Sequence, residues 1–109
     1  MLELRRYLTE SGRDVVGEWL AGLADTRARA KIAARLARVQ AGNFGDCKPV
    51  GEGVWELRVD WGSGYRVYYA LGGRFVCLLL CGGDKRTQTA DIGRALKYWK
   101  DYKRRTGTK

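Results

Sequence analysis

Gly53-Val54-Trp55-Glu56-Leu57-Arg58-Val59-Asp60, then Gly62-Ser63-Gly64, then Tyr65-Arg66-Val67-Tyr68-Tyr69-Ala70-Leu71, then Gly72-Gly73 and Phe75-Val76-Cys77-Leu78-Leu79-Leu80-Cys81: this glycine-punctuated run decides the fold. Trp55, Leu57 and Val59 alternate with Glu56, Arg58 and Asp60. Tyr65, Val67, Tyr69 and Leu71 alternate with Arg66, Tyr68 and Ala70. A period of two marks a strand with one buried face. Half-buried strands are therefore expected over 54–60 and 64–71, with Glu56, Arg58 and Arg66 facing outward. Paired glycines tolerate the positive φ of a tight hairpin, so Gly72-Gly73 turns the chain into a third strand, 75–81. Its unbroken apolar character fits a strand covered on both faces, and Gly82-Gly83 is expected to stop it. Cys77 and Cys81, four apart on that strand, are expected on one face as packing residues.

Upstream the period is 3.6. Ser11 precedes Asp14 by three, a capping-box spacing with Asp in place of the usual Glu. Val15, Val16, Trp19, Leu20 and Leu23 follow at helical spacing, which predicts a helix near 12–23. Asp25 or Thr26 caps a second helix that runs to about Ala41 and ends at Gly42. Ile32, Leu36 and Val39 form its apolar face, while Arg27, Lys31, Arg35 and Arg38 form a basic stripe at i, i+4, i+8 and i+11. So short a connection predicts an antiparallel helical hairpin. Before it, Leu2–Leu8 alternates as a first strand. Downstream, Thr87 or Thr89 caps a last helix with Ile92, Ala95, Leu96 and Trp99 on one side and Lys97, Lys100, Lys103, Arg104 and Arg105 on the rest. The tail 106–109 is expected to fray. The order is β-α-α, a meander of three or four strands, then a helix; such segregation is the α+β class.

The chain has 109 residues, 45% hydrophobic and 30% charged, the composition of one globular domain spanning 1–109. No apolar run reaches membrane-spanning length and Met1–Arg6 does not read as a signal peptide, so a cytoplasmic protein is expected. Three cysteines, an odd number, fit a reducing compartment. There is no histidine. That excludes Ser-His-Asp and Cys-His catalysis and removes the commonest metal ligand. A zinc site would need carboxylates with Cys47, Cys77 and Cys81, and no C-x-x-C pair is present; neither metal nor cofactor is expected. The net charge is +9, most of it after residue 46, which points to a polyanionic partner.

The polar face can be read chemically. Arg58 and Arg66 share one sheet surface if their strands pair. Lys85 and Arg86 leave the end of the apolar strand nearby. Gln88 and Asp91 follow at the mouth of the last helix, whose free N–H groups suit an anion. RNA strand scission needs cations for the charge on a pentacoordinate phosphate, a base for the 2′-hydroxyl and an acid for the leaving oxygen, and aromatics to stack splayed bases. Tyr68, Gln88, Lys97 and Lys100 are the candidate RNA contacts. On spacing alone, the same residues read more readily as a binding surface for nucleic acid or an acidic protein than as a catalytic set, with ordinary surface charge as the remaining reading.

Three blocks carry a resemblance: Gly53-Val54-Trp55-Glu56-Leu57-Arg58-Val59, Gly64-Tyr65-Arg66-Val67-Tyr68-Tyr69-Ala70, and Leu79-Leu80-Cys81-Gly82-Gly83-Asp84-Lys85-Arg86-Thr87-Gln88 with Asp91-Ile92. They resemble the addiction-module killer branch of the RelE/ParE toxin superfamily, the phage-related, HigB-like group. The resemblance implies a microbial RNase-like fold of order β-α-α-β-β-β-α. It implies a type II toxin, a metal-independent endoribonuclease that cleaves mRNA on the ribosome, held in check by a small antitoxin, often a helix-turn-helix repressor. Arg66 matches the family arginine at the scissile phosphate, Arg58 a basic strand position, and Lys85 or Arg86 the basic residue after the last strand. RelE proper has a lysine where this chain has Glu56, and a tyrosine early in the last helix where this chain has Gln88, Asp91 and Ile92. Several relatives use histidines. Glu56 thus becomes the candidate base, and Lys85 or Arg86 the candidate acid or phosphate clamp. The stripe Arg27, Lys31, Arg35 and Arg38 is the candidate surface for an acidic antitoxin segment. The ParE branch, which acts on DNA gyrase without cutting RNA, is the alternative that the same resemblance implies.

Overall fold

The computed structural model describes residues 1–107. Along the chain run β1 (Glu3–Arg6), α1 (Val15–Ala21), α2 (Thr26–Gln40), β2 (Cys47–Gly51), β3 (Val54–Val59), β4 (Tyr65–Gly72), β5 (Val76–Asp84), a 3-10 turn at Lys85–Thr87, and α3 (Gln88–Thr106). This is an α+β chain, as its period switch predicts. One five-stranded sheet has the order β1-β5-β4-β3-β2. β2 to β5 form an antiparallel meander, and β1 lies parallel to β5 with Leu4 opposite Cys77. β2 is the fourth strand of the meander. Pro49 sits in it because an edge strand tolerates a residue that donates nothing to one side.

Helix ends follow side-chain chemistry. α1 starts three residues later than the Ser11 reading places it, because the cap is Asp14, whose carboxylate accepts from Gly17 N at 3.0 Å. Asp25 caps α2, accepting from Arg27 N and Ala28 N, and Gly42 leaves that helix at φ 97°. α3 begins at Gln88 after Thr87. Thr106 closes α3 and Gly107 follows in the left-handed region; the expected fraying of Thr108 and Lys109 lies outside the described residues.

Both sheet faces are covered. α1 and α2 bring Val16, Ile32 and Val39 onto Leu57, Val67 and Leu79. α3 brings Ala95 and Trp99 onto Val54, Tyr68, Leu78 and Leu80. β3 and β4 are therefore not half-exposed strands: Glu56, Tyr68 and Ala70, on the face expected to be polar, are all fully buried.

A bulge in β5 corrects two further expectations. Tyr68 pairs with Cys81 but Tyr69 with Leu79, which leaves Leu80 as the extra residue. An extra residue reverses the in–out alternation. Cys77 consequently packs under α1 and α2 while Cys81 packs under α3, on opposite faces. Gly82 and Gly83 do not stop the strand, which continues to Asp84. A Cβ at Gly82 would overlap the Trp19 ring, and one at Gly83 the Asp91 carboxylate. The two glycines let α1 and α3 sit close against the end of β5.

Candidate functional site

Across β3 and β4, Glu56 stands opposite Tyr68 and Arg58 directly opposite Arg66. Like charges in that relation repel. The pair is held by Glu56, whose Oε1 lies 3.2 Å from Arg58 Nε and 3.6 Å from Arg66 Nε. Its Oε2 accepts from the Tyr68 hydroxyl at 3.1 Å and from Gln88 Nε2 at 2.8 Å. The Glu56 side chain is 0% exposed, against 35% for Arg58 and 14% for Arg66. Glu56 thus points into the protein, because α3 lays Gln88 over it; Arg66 is largely covered as well. Burial alone pushes the Glu56 carboxyl up. The hydrogen bonds from Gln88, Arg58 and Tyr68 and the charge of Arg66 outweigh it, and the carboxyl titrates below its ordinary range. The Tyr68 phenol is pushed up by burial and by the neighbouring carboxylate.

Arg58 and Arg66 line an open cavity of about 340 Å³ with Lys85, floored by the Gly62–Gly64 turn. Gly64 takes φ 81° there, in the region that favours glycine. The other expected site residues lie elsewhere. Arg86 does not line the cavity: it turns to Asp84 at 2.9 Å. Asp84 also accepts from Arg86 N, capping the 3-10 turn that precedes α3. Asp91 is buried, bonded to Thr87 and 2.6 Å from Arg94. Tyr68 is buried with its hydroxyl on Glu56, which removes it as a stacking surface for bases. Lys97 and Lys100 are exposed on α3 but do not line this cavity.

The α2 stripe divides. Arg35 turns inward, donating to Arg58 O at 3.3 Å, Phe44 O at 3.0 Å and Asp46 O at 3.2 Å. It fastens α2 to the strand that carries Arg58, while its side chain still lines the opening between that helix and β3. Arg27, Lys31 and Arg38 remain exposed. Asp46 and Asp60, which no motif singles out, line the cavity beside Arg58. Asp60 is legible only as the last polar residue of the alternating run, with nothing in the pattern to mark it as part of a site. Among the described residues, no group of three or more His, Cys, Asp or Glu is placed to hold a metal ion, and no helix is long and apolar enough to cross a membrane.

Two guanidiniums and an ammonium thus converge on one concave surface with their counter-charge buried behind them. Such an arrangement is chemically suited to an anionic group such as a phosphodiester, whose hold would strengthen as negative charge builds on phosphorus. The profile of a family described as "Phage derived protein Gp49-like (DUF891)" matches residues 18–100, a span that contains every one of these residues. The chain belongs to the Gp49-like family. It is a toxin-like family of the addiction-module kind, with which the resemblance read from the sequence agrees. A stretch of 77 residues is 54% identical to an uncharacterized protein of Haemophilus influenzae (strain ATCC 51907 / DSM 11121 / KW20 / Rd), covering 71% of this chain and 78% of that protein.

Proposed function

We propose that this Gp49-like chain is the toxin of a type II toxin–antitoxin pair, an endoribonuclease that cleaves mRNA on the ribosome. The observation that carries the reading is the Arg58–Arg66 pair, fastened on buried Glu56 and opening with Lys85 onto one cavity. In the proposed reaction the ribose 2′-oxygen attacks phosphorus, the O2′–P bond forms, the P–O5′ bond breaks, and a 2′,3′-cyclic phosphate and a 5′-hydroxyl result. Arg66 and Arg58 hold the non-bridging oxygens, and their planar forks suit that geometry. Lys85, exposed at the cavity wall, supplies a proton or positive charge at the leaving oxygen.

Glu56 is a positioning residue in this scheme. A carboxylate titrating below its ordinary range, with both oxygens occupied by donors, is poorly matched to removing a proton near neutral pH. Asp46 and Asp60 are the carboxylates that line the cavity itself, and the proposed proton acceptor is one of these two.

The test is induction of the protein in cells, with mRNA and chromosomal DNA followed together. Protein synthesis halts and transcripts are cut within reading frames, whereas the Arg66→Ala variant leaves them whole. Intact mRNA beside DNA cleavage complexes would overturn the reading in favour of a gyrase-directed toxin.

A further inference from the structure

The Arg58–Arg66 cavity is not isolated. A second opening, of about 300 Å³, lies between α2 and the end of β3. Arg58, Asp46 and Asp60 line both, so the two form one groove. Its far end carries Lys31 and Arg38, the exposed members of the α2 stripe. Six cations and two carboxylates line the whole. Both ends belong to one body, because Arg35 bonds from α2 to the carbonyl of Arg58 itself. Lys31 is held at the groove by Trp61, its ammonium 5.1 Å from the ring centroid, and the indole N–H of Trp61 is anchored on Asp25 at 3.2 Å.

We infer that this groove is an extended track for one RNA strand, in which Lys31 and Arg38 bind backbone phosphates some nucleotides away from the phosphate held by Arg58 and Arg66. The inference deepens the nuclease reading and rests on it for the strand's identity. A lone cationic stripe on a helix serves an acidic protein as well as an RNA. Continuity with the Arg58–Arg66 cavity favours RNA, because a strand seated on those arginines must leave along a wall, and the α2 wall carries the cations. Regularly spaced charges along a groove are how single strands are held without reading sequence.

The experiment titrates the protein with non-cleavable 2′-O-methyl RNA of about three and about ten nucleotides, lengths that bracket a short and a full single-strand site, over a series of salt concentrations. The wild type binds the longer oligonucleotide at least about tenfold more tightly. In the Lys31→Ala/Arg38→Ala variant that advantage disappears. The slope of log affinity against log salt becomes shallower by about 1.4, since each phosphate contact to a single strand contributes about 0.7. An Arg29→Ala/Arg74→Ala variant, with the same charge removed outside the groove, keeps both the advantage and the slope. The inference is overturned if the Lys31/Arg38 variant behaves as wild type, or if the control pair loses as much. It is also overturned if a poly-glutamate peptide, and not RNA, registers the change, which would assign the stripe to an acidic protein. Failure of the nuclease reading shows separately, as uncut mRNA with the wild-type protein whatever the oligonucleotide titration gives.

Discussion

Arg66 separates chemistry from architecture. Its guanidinium faces the cavity while Glu56 retains three other donors, so Arg66→Ala leaves a folded protein whose melting temperature moves by only a few degrees. Single-turnover cleavage of ribosome-bound mRNA falls by a factor of about a hundred to a thousand, the usual cost of losing one donor aimed at developing charge. Arg66→Lys restores only part of it, since a point charge does not reproduce a fork. Full activity in folded Arg66→Ala protein would remove this site from consideration. Glu56→Gln tests a positioning role. The amide keeps the shape but leaves two facing arginines without a counter-charge, so stability drops, cleavage falls by roughly tenfold, and the pH–rate profile keeps its form. A loss of about a hundred- to ten-thousandfold together with a lost acidic limb would instead make Glu56 the base. Sequence periodicity places Glu56 beside Arg58 and Arg66 but on the wrong side of the surface. Its burial depends on Gln88, thirty-two residues on, and no local pattern reports which sheet face a distant helix will cover.

Among the elements, β5 carries the largest departure from what can be read locally. The alternation of β3 and β4 is written in their residues, and so is the apolar run of β5. The bulge at Leu80 is not, because it appears only once Tyr68 and Tyr69 choose their partners. β2 is equally silent: Cys47-Lys48-Pro49-Val50-Gly51 has no alternation, and its strand conformation comes from pairing with β3. Gly82 and Gly83 read as a stop because a glycine pair more often ends a strand than admits a neighbour. Their real role predicts a stability effect. Gly83→Ala drives a methyl into the buried Asp91 that Thr87 and Arg94 hold, and Gly82→Ala drives one into Trp19. Each costs about 1–3 kcal/mol, the range for overpacking a filled core. Urea titration of the two variants measures it, and unchanged midpoints would mean that α1 and α3 do not press on β5 as described.

At the scale of the whole molecule, pH acts through groups that the fold hides. Burial pushes the Cys77 and Cys81 thiols up to about 12. Burial, then the hydrogen bond with Asp101, pushes the Tyr7 phenol up to about 12. Unfolded, these groups lose their protons nearer 9 and 10. The native state therefore holds more protons over that interval. Stability from these groups is complete below about pH 9 and falls as pH rises toward 12, by up to about 1.4 kcal/mol per pH unit for each group in transition. Thermal melts from pH 8 upward should show this decline, and Cys81→Ala should flatten it; an equally steep curve in the variant would contradict the assignment. Glu56 works in the opposite direction. Its native pKa is depressed, so its contribution is present above the ordinary carboxylate range and is lost as pH falls through the native value.

The pairing of β1 with β5 also sets an order in time. The first strand has β5 as its sheet neighbour. Just beyond that strand, Tyr7 is bonded to Asp101, 94 residues away, and the Leu8 carbonyl to Arg105, 97 residues away. Gln88, which covers Glu56, belongs to the same late helix. A nascent chain consequently has no partner for its first strand until β5 has been made, and no cover for its buried carboxylate until Gln88 has followed. Contacts so remote in sequence are the slowest to form. Arg58 and Arg66 are thus made well before the amide that closes over their shared carboxylate, so the charge balance of the cavity is among the last things the folding chain completes.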